Sequence, residues 1–175
     1  MTSMLSTLAR ICEKEVMDEK GEAIEYDTIG HDSSNSSFVN EVARFLQRYP
    51  RQVLDLGCGP GDIAVRLATC FPEAQITAID SAEEMLALGR KRAHAHHCQS
   101  RVSFVKQDIN QLSIPSASVD LVVSNSVVHH LHHPQRFFRE VRRILAPGGS
   151  IFIRDLRRPT TKAQLDALVA AYSVV

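Results

Sequence analysis

Short apolar runs alternate along the chain with longer segments in which apolar residues recur at helical spacing. Five of these runs are typical of buried strands, and they fall at residues 51–56, 76–79, 102–105, 119–123 and 150–154. The intervening and following segments predict helices at residues 63–68, 82–94, 134–146 and 161–172. Strands that alternate with helices in this way predict an α/β fold with a parallel sheet.

The first 49 residues are predicted to form a helical segment ahead of the α/β domain, which takes residues 50–175. Gly21 interrupts this segment, and the polar cluster at residues 30–37 is turn-prone and able to cap a following helix. One apolar face of that following helix is formed by Phe38, Val42, Phe45 and Leu46.

Composition and charge argue against nucleic-acid-binding, secreted and membrane-spanning proteins. A chain of 175 residues can bury one full core, and its 20 basic and 20 acidic residues cancel. This balance gives no reason to expect nucleic acid as a partner. Arg10 and Glu13 come too early for a signal peptide, and no apolar run approaches the ~20 residues of a membrane span. Four cysteines without a Cys-x-x-Cys pair indicate reduced thiols, so we expect a cytoplasmic protein.

The stretch at residues 53–62 carries the strongest functional signal. Its strand-like run stops at Gly57, Gly59 and Gly61, and a helix-like segment follows Asp62. A strand, a glycine bend and a helix begin a βαβ unit, in which the bend lets a ligand approach the backbone. A dinucleotide fingerprint that begins at Gly57 has its third glycine at position 62, where this chain has an acid.

Charge at this bend argues against phosphate groups. Asp62 would repel a pyrophosphate, and Asp55 adds a second negative charge at the end of the strand. Both carboxylates suit a ligand with cationic groups, such as an amine or a sulfonium. The next apolar run ends in Asp80, which is positioned to accept hydrogen bonds from both hydroxyls of a ribose. Together these features predict a ligand that contains adenosine and lacks phosphates.

Five motifs occur in one order and spacing from about residue 51 to residue 158, namely 55–61, Asp80, 107–109, 119–125 and 145–149. In this combination the chain resembles the class I S-adenosylmethionine-dependent methyltransferases. The resemblance implies a doubly wound, Rossmann-like parallel sheet with strand order 3-2-1-4-5 and N-terminal helices. It also implies S-adenosyl-L-methionine as cofactor and S-adenosyl-L-homocysteine as product.

The same resemblance implies where the cofactor binds. Met85 offers a polarisable apolar surface to the adenine face, Asp108 accepts a hydrogen bond from the adenine amino group, and Ile109 adds an apolar wall. Tyr26 and His31 belong to an N-terminal segment that covers the methionine end of the cofactor. The full set of predicted cofactor-binding residues is Tyr26, His31, Asp55, Gly57, Cys58, Gly59, Asp80, Ser81, Met85, Asp108, Ile109 and Asn125.

Four histidines follow the fourth strand. His129 and His133 have an i, i+4 spacing that can chelate a metal on a helix, but Pro134 follows at once and favours a loop. No cysteine or carboxylate completes a ligand set nearby, so we predict no metal. A neutral His129 or His130 could instead act as a general base toward the methyl acceptor, since imidazole titrates near neutral pH.

The expected reaction is a direct displacement, in which an acceptor lone pair attacks the methyl carbon and a neutral thioether leaves. The family's branch that methylates the amines of adenine and glutamine carries Asp/Asn-Pro-Pro-Tyr at the end of the fourth strand. Residues 124–127 read Ser-Asn-Ser-Val, so those acceptors are disfavoured. The neutral overall charge favours a small-molecule acceptor over a macromolecule.

The 19 residues after Leu156 are too few for the two further strands with which the family's sheet ends. The fifth strand would then keep an exposed edge, which is a route to self-association. Two alternatives stay open beside a methyltransferase. One is an adenosylmethionine-binding module without turnover, and the other is an NAD-dependent oxidoreductase, against which Asp62 argues.

Overall fold

The computed structural model describes Leu8 and residues 18–28 and 31–172. Helices in this part of the chain are α1 (Lys20–Thr28), α2 (Asp32–Phe45), α3 (Asp62–Cys70), α4 (Glu83–Ala95), α5 (Pro134–Ile144) and α6 (Lys162–Tyr172). Strands are β1 (Gln52–Leu56), β2 (Gln75–Asp80), β3 (Val102–Lys106), β4 (Val119–Asn125) and β5 (Leu145–Arg154). A 3₁₀ turn at Val128–His130 follows β4.

The strands form one parallel sheet in the order β3-β2-β1-β4-β5, which confirms the predicted fold class and strand order. In the central strand β1, Asp55 pairs with Ala78 of β2 on one side and with Val123 of β4 on the other. The carboxyl ends of these three strands therefore lie side by side. In a doubly wound sheet, ligands bind at this edge, beside the point where the strand order reverses.

Alternating strand residues are buried on the two faces of the sheet. On one face, Val53 belongs to a cluster with Phe38 of α2, Leu67 of α3 and Leu86 of α4. On the other face, residues of β1, β2 and β4 pack against the buried side of α5. Helices on both faces make the sheet doubly wound, as predicted.

Strand β5 is longer than the sequence pattern predicts. It begins at Leu145, which pairs with Val119, and not at Ser150, which pairs with Leu121. The register shifts between these two pairs, so α5 gives way to an irregular strand segment at its end. Within the described residues, β5 pairs only with β4. Self-association through its other edge stays a prediction.

The predicted turn at residues 30–37 is wrong for its described part, because residues 32–37 lie inside α2. Their polar side chains pair with α3 instead of ending a helix. Asn35 donates to Asp62 at 2.9 Å, and Arg66 donates to Ser36 at 2.8 Å. Gly21 lies in the first turn of α1, and most of the preceding segment that it is predicted to interrupt lies outside the described residues.

The last described element, α6, covers residues predicted to be helical. Its Leu168 and Val169 are 45% and 54% exposed, so the helix does not add to the core. Among the described residues, no helix combines the length and the apolar character that crossing a bilayer would need.

Two neighbouring phenylalanines on α5 test how this helix is held on the sheet. Phe137 is fully buried, whereas Phe138 is 46% exposed. We expect Phe137→Ala to lower the free energy of unfolding by about 3–5 kcal/mol, because it leaves a cavity against the sheet. Phe138→Ala should cost less than about 1 kcal/mol. Urea denaturation of both variants measures this, and equal losses would contradict the packing described for α5.

Candidate functional site

The glycine bend after β1 lies directly under the loop that follows β4. Gly57 has φ +72°, and a Cβ atom on it would lie 2.3 Å from Cγ2 of Val127. Only a residue without a side chain allows this contact, since heavy atoms do not approach so closely without displacement. The glycine therefore brings the ends of β1 and β4 together at the site.

The end of β2 satisfies the N–H groups of the bend. Gly57 and Cys58 both donate to the carbonyl oxygen of Ile79, at 2.8 and 3.0 Å. Gly59 donates to Oδ2 of Asp80 at 2.8 Å. In phosphate-binding loops such N–H groups point at the ligand, whereas here they already donate to acceptors within the protein. The geometry of the bend therefore agrees with the predicted absence of phosphate.

Two neighbouring cavities open at this edge of the sheet. The larger has a volume of about 740 Å³ and the smaller about 270 Å³. Tyr26, Gly57, Gly59 and Ser126 line both cavities, so these residues mark the place where the two meet. Ligand pockets commonly measure ~300–1,000 Å³, so the combined space suits a nucleoside-sized molecule.

Most of the predicted cofactor residues line these cavities. Those in the larger one alone are Asp80, Ser81, Met85, Asp108 and Ile109. Those in the smaller one alone are His31, Cys58 and Asn125. The structure thus brings together eleven of the twelve predicted residues, counting the shared Tyr26, Gly57 and Gly59. Asp55 is the exception, since it lines neither cavity.

Asp55 is buried beneath the bend with 1% of its surface exposed. Its Oδ2 atom has no hydrogen-bond partner among the described residues. Burial, reinforced by the negative charge of Asp80, raises the pKa of Asp55 to about 7. Near neutral pH this carboxyl is therefore partly protonated, and it favours positive charge in its surroundings.

Tyr26 lines both cavities, at the place where they meet. Its ring lies 5.1 Å from the ring of His31, measured between centroids. Burial and then the charge of Asp80 raise the pKa of the Tyr26 phenol, which stays neutral at physiological pH. A neutral phenol can both donate and accept a hydrogen bond toward a ligand below it.

The two histidines predicted as candidate bases occupy different positions. His130 lines the larger cavity, whereas His129 lines neither cavity. Nδ1 of His129 is 2.6 Å from Oδ1 of Asp155, and Oδ2 of Asp155 accepts the N–H of Val128 at 2.6 Å. The Asp155–His129 pair therefore holds the loop after β4, while His130 faces the site. The described residues contain no group of three or more potential metal-binding side chains.

Residues 53–149, more than half of the chain, match the family described as "Methyltransferase domain". The chain belongs to the class I S-adenosylmethionine-dependent methyltransferases. A malonyl-[acyl-carrier protein] O-methyltransferase of Hahella chejuensis is 35% identical over 111 residues, which are 63% of this chain and 38% of the relative. A trans-aconitate 2-methyltransferase of Acidovorax sp. (strain JS42) is 34% identical over 116 residues, which are 66% of this chain and 42% of the relative.

The fold comparison agrees with this family. A crystal structure of a Methanococcus maripaludis protein, provisionally assigned as an S-adenosyl-L-methionine-dependent methyltransferase, superposes with a TM-score of 0.75 at 21% identity. The match covers 93% of this chain and 76% of that chain, which shows that the fold is shared. The chain spans about two fifths of the length of the two curated relatives described above.

Sequence reasoning missed two residues of this candidate site. Ser126 lines both cavities with φ +58°, a left-handed conformation that is uncommon outside glycine. Nothing in the sequence marks it, because serine is not a typical residue for that conformation. Asp155 holds the loop after β4, and its only sequence signal is an acid placed directly after the fifth strand.

The close contact at Gly57 can be tested against a second glycine of the same bend. Gly57→Ala must displace Val127 and adopt a positive φ, which we expect to cost about 2–5 kcal/mol of unfolding free energy. Gly59→Ala meets no atom within 4 Å of the new Cβ. It carries only the conformational cost of about 1–2 kcal/mol. Chemical denaturation compares the two variants, and an equal or smaller loss for Gly57→Ala would contradict the contact.

The raised pKa of Asp55 predicts a pH dependence of stability. Because the folded state binds this proton more tightly than the unfolded state, the free energy of unfolding should fall as pH rises from about 4 to 7. Each pKa unit is worth ~1.4 kcal/mol, so we expect a loss of about 2–4 kcal/mol that Asp55→Asn removes. Urea denaturation of both proteins across this range measures the difference. Parallel pH profiles would show that Asp55 ionises normally in the folded protein.

Proposed function

We propose that the protein binds S-adenosyl-L-methionine and transfers its methyl group to a small-molecule acceptor, releasing S-adenosyl-L-homocysteine. The observation that carries the proposal is the pair of joined cavities at a bend whose N–H groups are already satisfied. Such a site suits an adenosine-containing ligand without phosphates. Membership of the methyltransferase family supports the same reaction.

The larger cavity is proposed to hold the adenosine part of the cofactor. Met85 and Ile109 supply apolar surfaces for the adenine ring, and Asp108 supplies an acceptor for its amino group. Asp80 lines the larger cavity and accepts the N–H of Gly59, which lines both cavities; it is proposed to bind the ribose hydroxyls, with Ser81 beside it. The carboxylate can do this while accepting backbone N–H groups, because its two oxygens offer about four acceptor sites.

The methionine part is proposed to lie beneath Tyr26, toward the smaller cavity. His31, Cys58 and Asn125 line that cavity and would surround it. When bound, the cofactor supplies an electrophilic methyl carbon on a positively charged sulfur. The protein's own contribution is alignment of the acceptor and exclusion of water, and α1 and α2 supply the cover.

His130 is the candidate proton acceptor, and His129 fixes the loop that carries it.

The acceptor is proposed to be small. Both relatives described above are named for acceptors other than nucleic acid, although more than half of each lies outside the aligned region. The balanced charge of the chain agrees with this. Cytoplasmic location and the absence of a nucleic-acid partner stay predictions. A binding module without turnover stays the alternative that an assay of methyl transfer must separate from a methyltransferase.

Calorimetric titration with S-adenosyl-L-homocysteine tests cofactor binding directly. We expect this nucleoside to bind and NAD⁺ to bind at least tenfold more weakly, since the bend offers no free N–H to a pyrophosphate. Tighter binding of NAD⁺ would reject the proposal. If the homocysteine compound binds but no acceptor in a panel of small acids and hydroxyl compounds becomes methylated, the binding module becomes the better interpretation.

Two aspartates with similar backbone contacts test the ribose assignment. Asp80→Asn keeps an oxygen for the N–H of Gly59 but loses charge, and should weaken S-adenosyl-L-homocysteine binding by about 1–3 kcal/mol. Asp120 accepts the N–H groups of Arg51 and Gln52 at 2.9 Å, at the opposite end of the sheet. Asp120→Asn is therefore the matched control and should leave the dissociation constant unchanged. Equal effects of both substitutions would contradict the ribose contact.

A further inference from the structure

The exposed side of α5 carries positive charge that no acid of the described chain neutralises. Arg136, Arg139 and Arg142 are exposed, and no side-chain hydrogen bond or ion pair joins any of them to another described residue. The one acid in α5, Glu140, is already bound to Arg143 at 2.8 Å. Three guanidinium groups on this side of the helix are therefore available to a partner.

This arrangement opposes the stability of the helix. Residues three apart on a helix are neighbours, so Arg139 is repelled by both Arg136 and Arg142. Arg136 also lies in the first turn, which contains no acid and where the helix dipole disfavours a cation. By contrast, Arg66 of α3 and Arg92 of α4 each form an ion pair within the protein. The charges of α5 therefore have no stabilising role in the described structure.

An aromatic ring lies beside these charges. Phe138 is 46% exposed, and it is the only large apolar side chain of α5 that is exposed within the described structure. Its ring packs edge-on against the buried ring of Phe137, with the two centroids 5.2 Å apart. Arg142 follows at the i+4 position and so neighbours Phe138 on the helix. Aromatic and arginine side chains together are typical of the central contacts in protein interfaces.

The exposed side of α5 begins close to the candidate site. His132 lines the larger cavity, and α5 starts two residues later at Pro134. A partner bound along α5 would therefore lie beside the cavity without filling it. An inference about such a partner goes beyond the proposed methyl transfer and does not depend on it.

The same features favour an acidic protein over other anionic partners. Binding to nucleic acid depends on neutralising many phosphates, and a chain with 20 basic and 20 acidic residues offers little net charge for this. A helix that inserts into a membrane surface needs a broad apolar face, whereas the apolar face of α5 is packed against the sheet. Carboxylates placed around one apolar side chain would match three guanidinium groups and one ring.

We propose that Arg136, Phe138, Arg139 and Arg142 form a docking surface for an acidic helix of another protein. We call these four residues the α5 surface. Carboxylates of the partner pair with the guanidinium groups, and an apolar side chain of the partner packs on Phe138. A helix of 11 residues offers a small contact area, so the complex is transient and is weakened by salt.

Fluorescence anisotropy with two labelled helical peptides tests the chemistry of the partner. One peptide carries glutamates at helical spacing around a central leucine, and the other carries glutamine at the same positions. At low ionic strength the wild-type protein should bind the glutamate peptide about tenfold more tightly or better. Added salt should remove this difference, because it screens exposed charges. Equal affinity for both peptides at low salt would overturn the proposal.

A charge variant tests where the glutamate peptide binds. Arg136→Gln, Arg139→Gln and Arg142→Gln are combined in one protein, which removes all three guanidinium groups of the α5 surface. We expect this variant to lose about tenfold or more of the affinity for the glutamate peptide. Unchanged affinity would place the peptide elsewhere and reject the α5 surface.

The matched control removes the same amount of charge from other parts of the surface. Arg44, Lys91 and Arg157 are exposed and have no side-chain partner among the described residues. Arg44→Gln, Lys91→Gln and Arg157→Gln are combined in a second protein, whose affinity for the glutamate peptide should stay within about twofold of wild type. Equal losses in the two triple variants would show attraction to overall charge only, and would overturn the proposal.

Phe138→Ala tests the apolar part of the contact. It should weaken the binding of the glutamate peptide severalfold, because the leucine of the peptide loses the ring on which it packs. Leu168→Ala removes a side chain of α6 that is 45% exposed, and it should leave the affinity unchanged. Equal effects of the two substitutions would contradict the contact with Phe138.

Nuclear magnetic resonance of the ¹⁵N-labelled wild-type protein locates the contact without any substitution. The glutamate peptide should shift the backbone N–H signals of residues 135–142 more than those of other segments, and largest shifts elsewhere would reject the α5 surface. The same signals are followed with vesicles of phosphatidylcholine and phosphatidylglycerol and with a short DNA duplex. Tighter binding of either at this surface than of the glutamate peptide would overturn the choice of an acidic protein.

Discussion

The hydrogen bonds from the glycine bend to the end of β2 are the interaction on which the site depends. A chain reversal at the buried edge of a sheet must satisfy its N–H groups, because an unpartnered one costs about as much as a lost hydrogen bond. The carbonyl of Ile79 and the carboxylate of Asp80 do this. The same contacts fix the shape of the bend and withdraw its donors from any ligand. The hydrogen bonds that stabilise the bend are therefore the same ones that leave it without N–H donors for a phosphate group.

Electrostatics reinforce that preference. Asp55 lies buried beneath the bend, and its pKa is raised by burial and by Asp80. Two neighbouring carboxyl groups in a region of low dielectric repel each other when both are ionised, and a nearby cation reduces this repulsion. A sulfonium ligand would bring such a charge, whereas a pyrophosphate would increase the repulsion. The charge of the buried acid would therefore favour a cationic ligand over a pyrophosphate.

The sequence predicted the sheet and most of the site because those parts follow from local pattern. Strand order and the positions of Asp80 and Asp108 depend on motifs that lie at strand ends. The helical state of residues 32–37 could not be predicted, since it depends on pairing with Arg66 of another helix. Ser126 and Asp155 were missed for a related reason. Their roles arise from a strained turn and from contacts across more than 25 residues of chain, which periodicity does not record.

Tyr26 of α1 lines both cavities, and this position has a consequence for ligand exchange. A molecule that filled both spaces would contact its side chain, so the position of α1 affects access to the site. α1 contacts α4 and the residue before it through a small apolar cluster of Ala23, Ala82 and Met85, with Tyr26 and Leu88 at its margin, and through the ion pair of Asp27 with Arg92. So small an apolar contact opens more easily than the main core. If the proposed methyl transfer takes place, release of the product would then depend on the detachment of this short helix as well as on the chemical step.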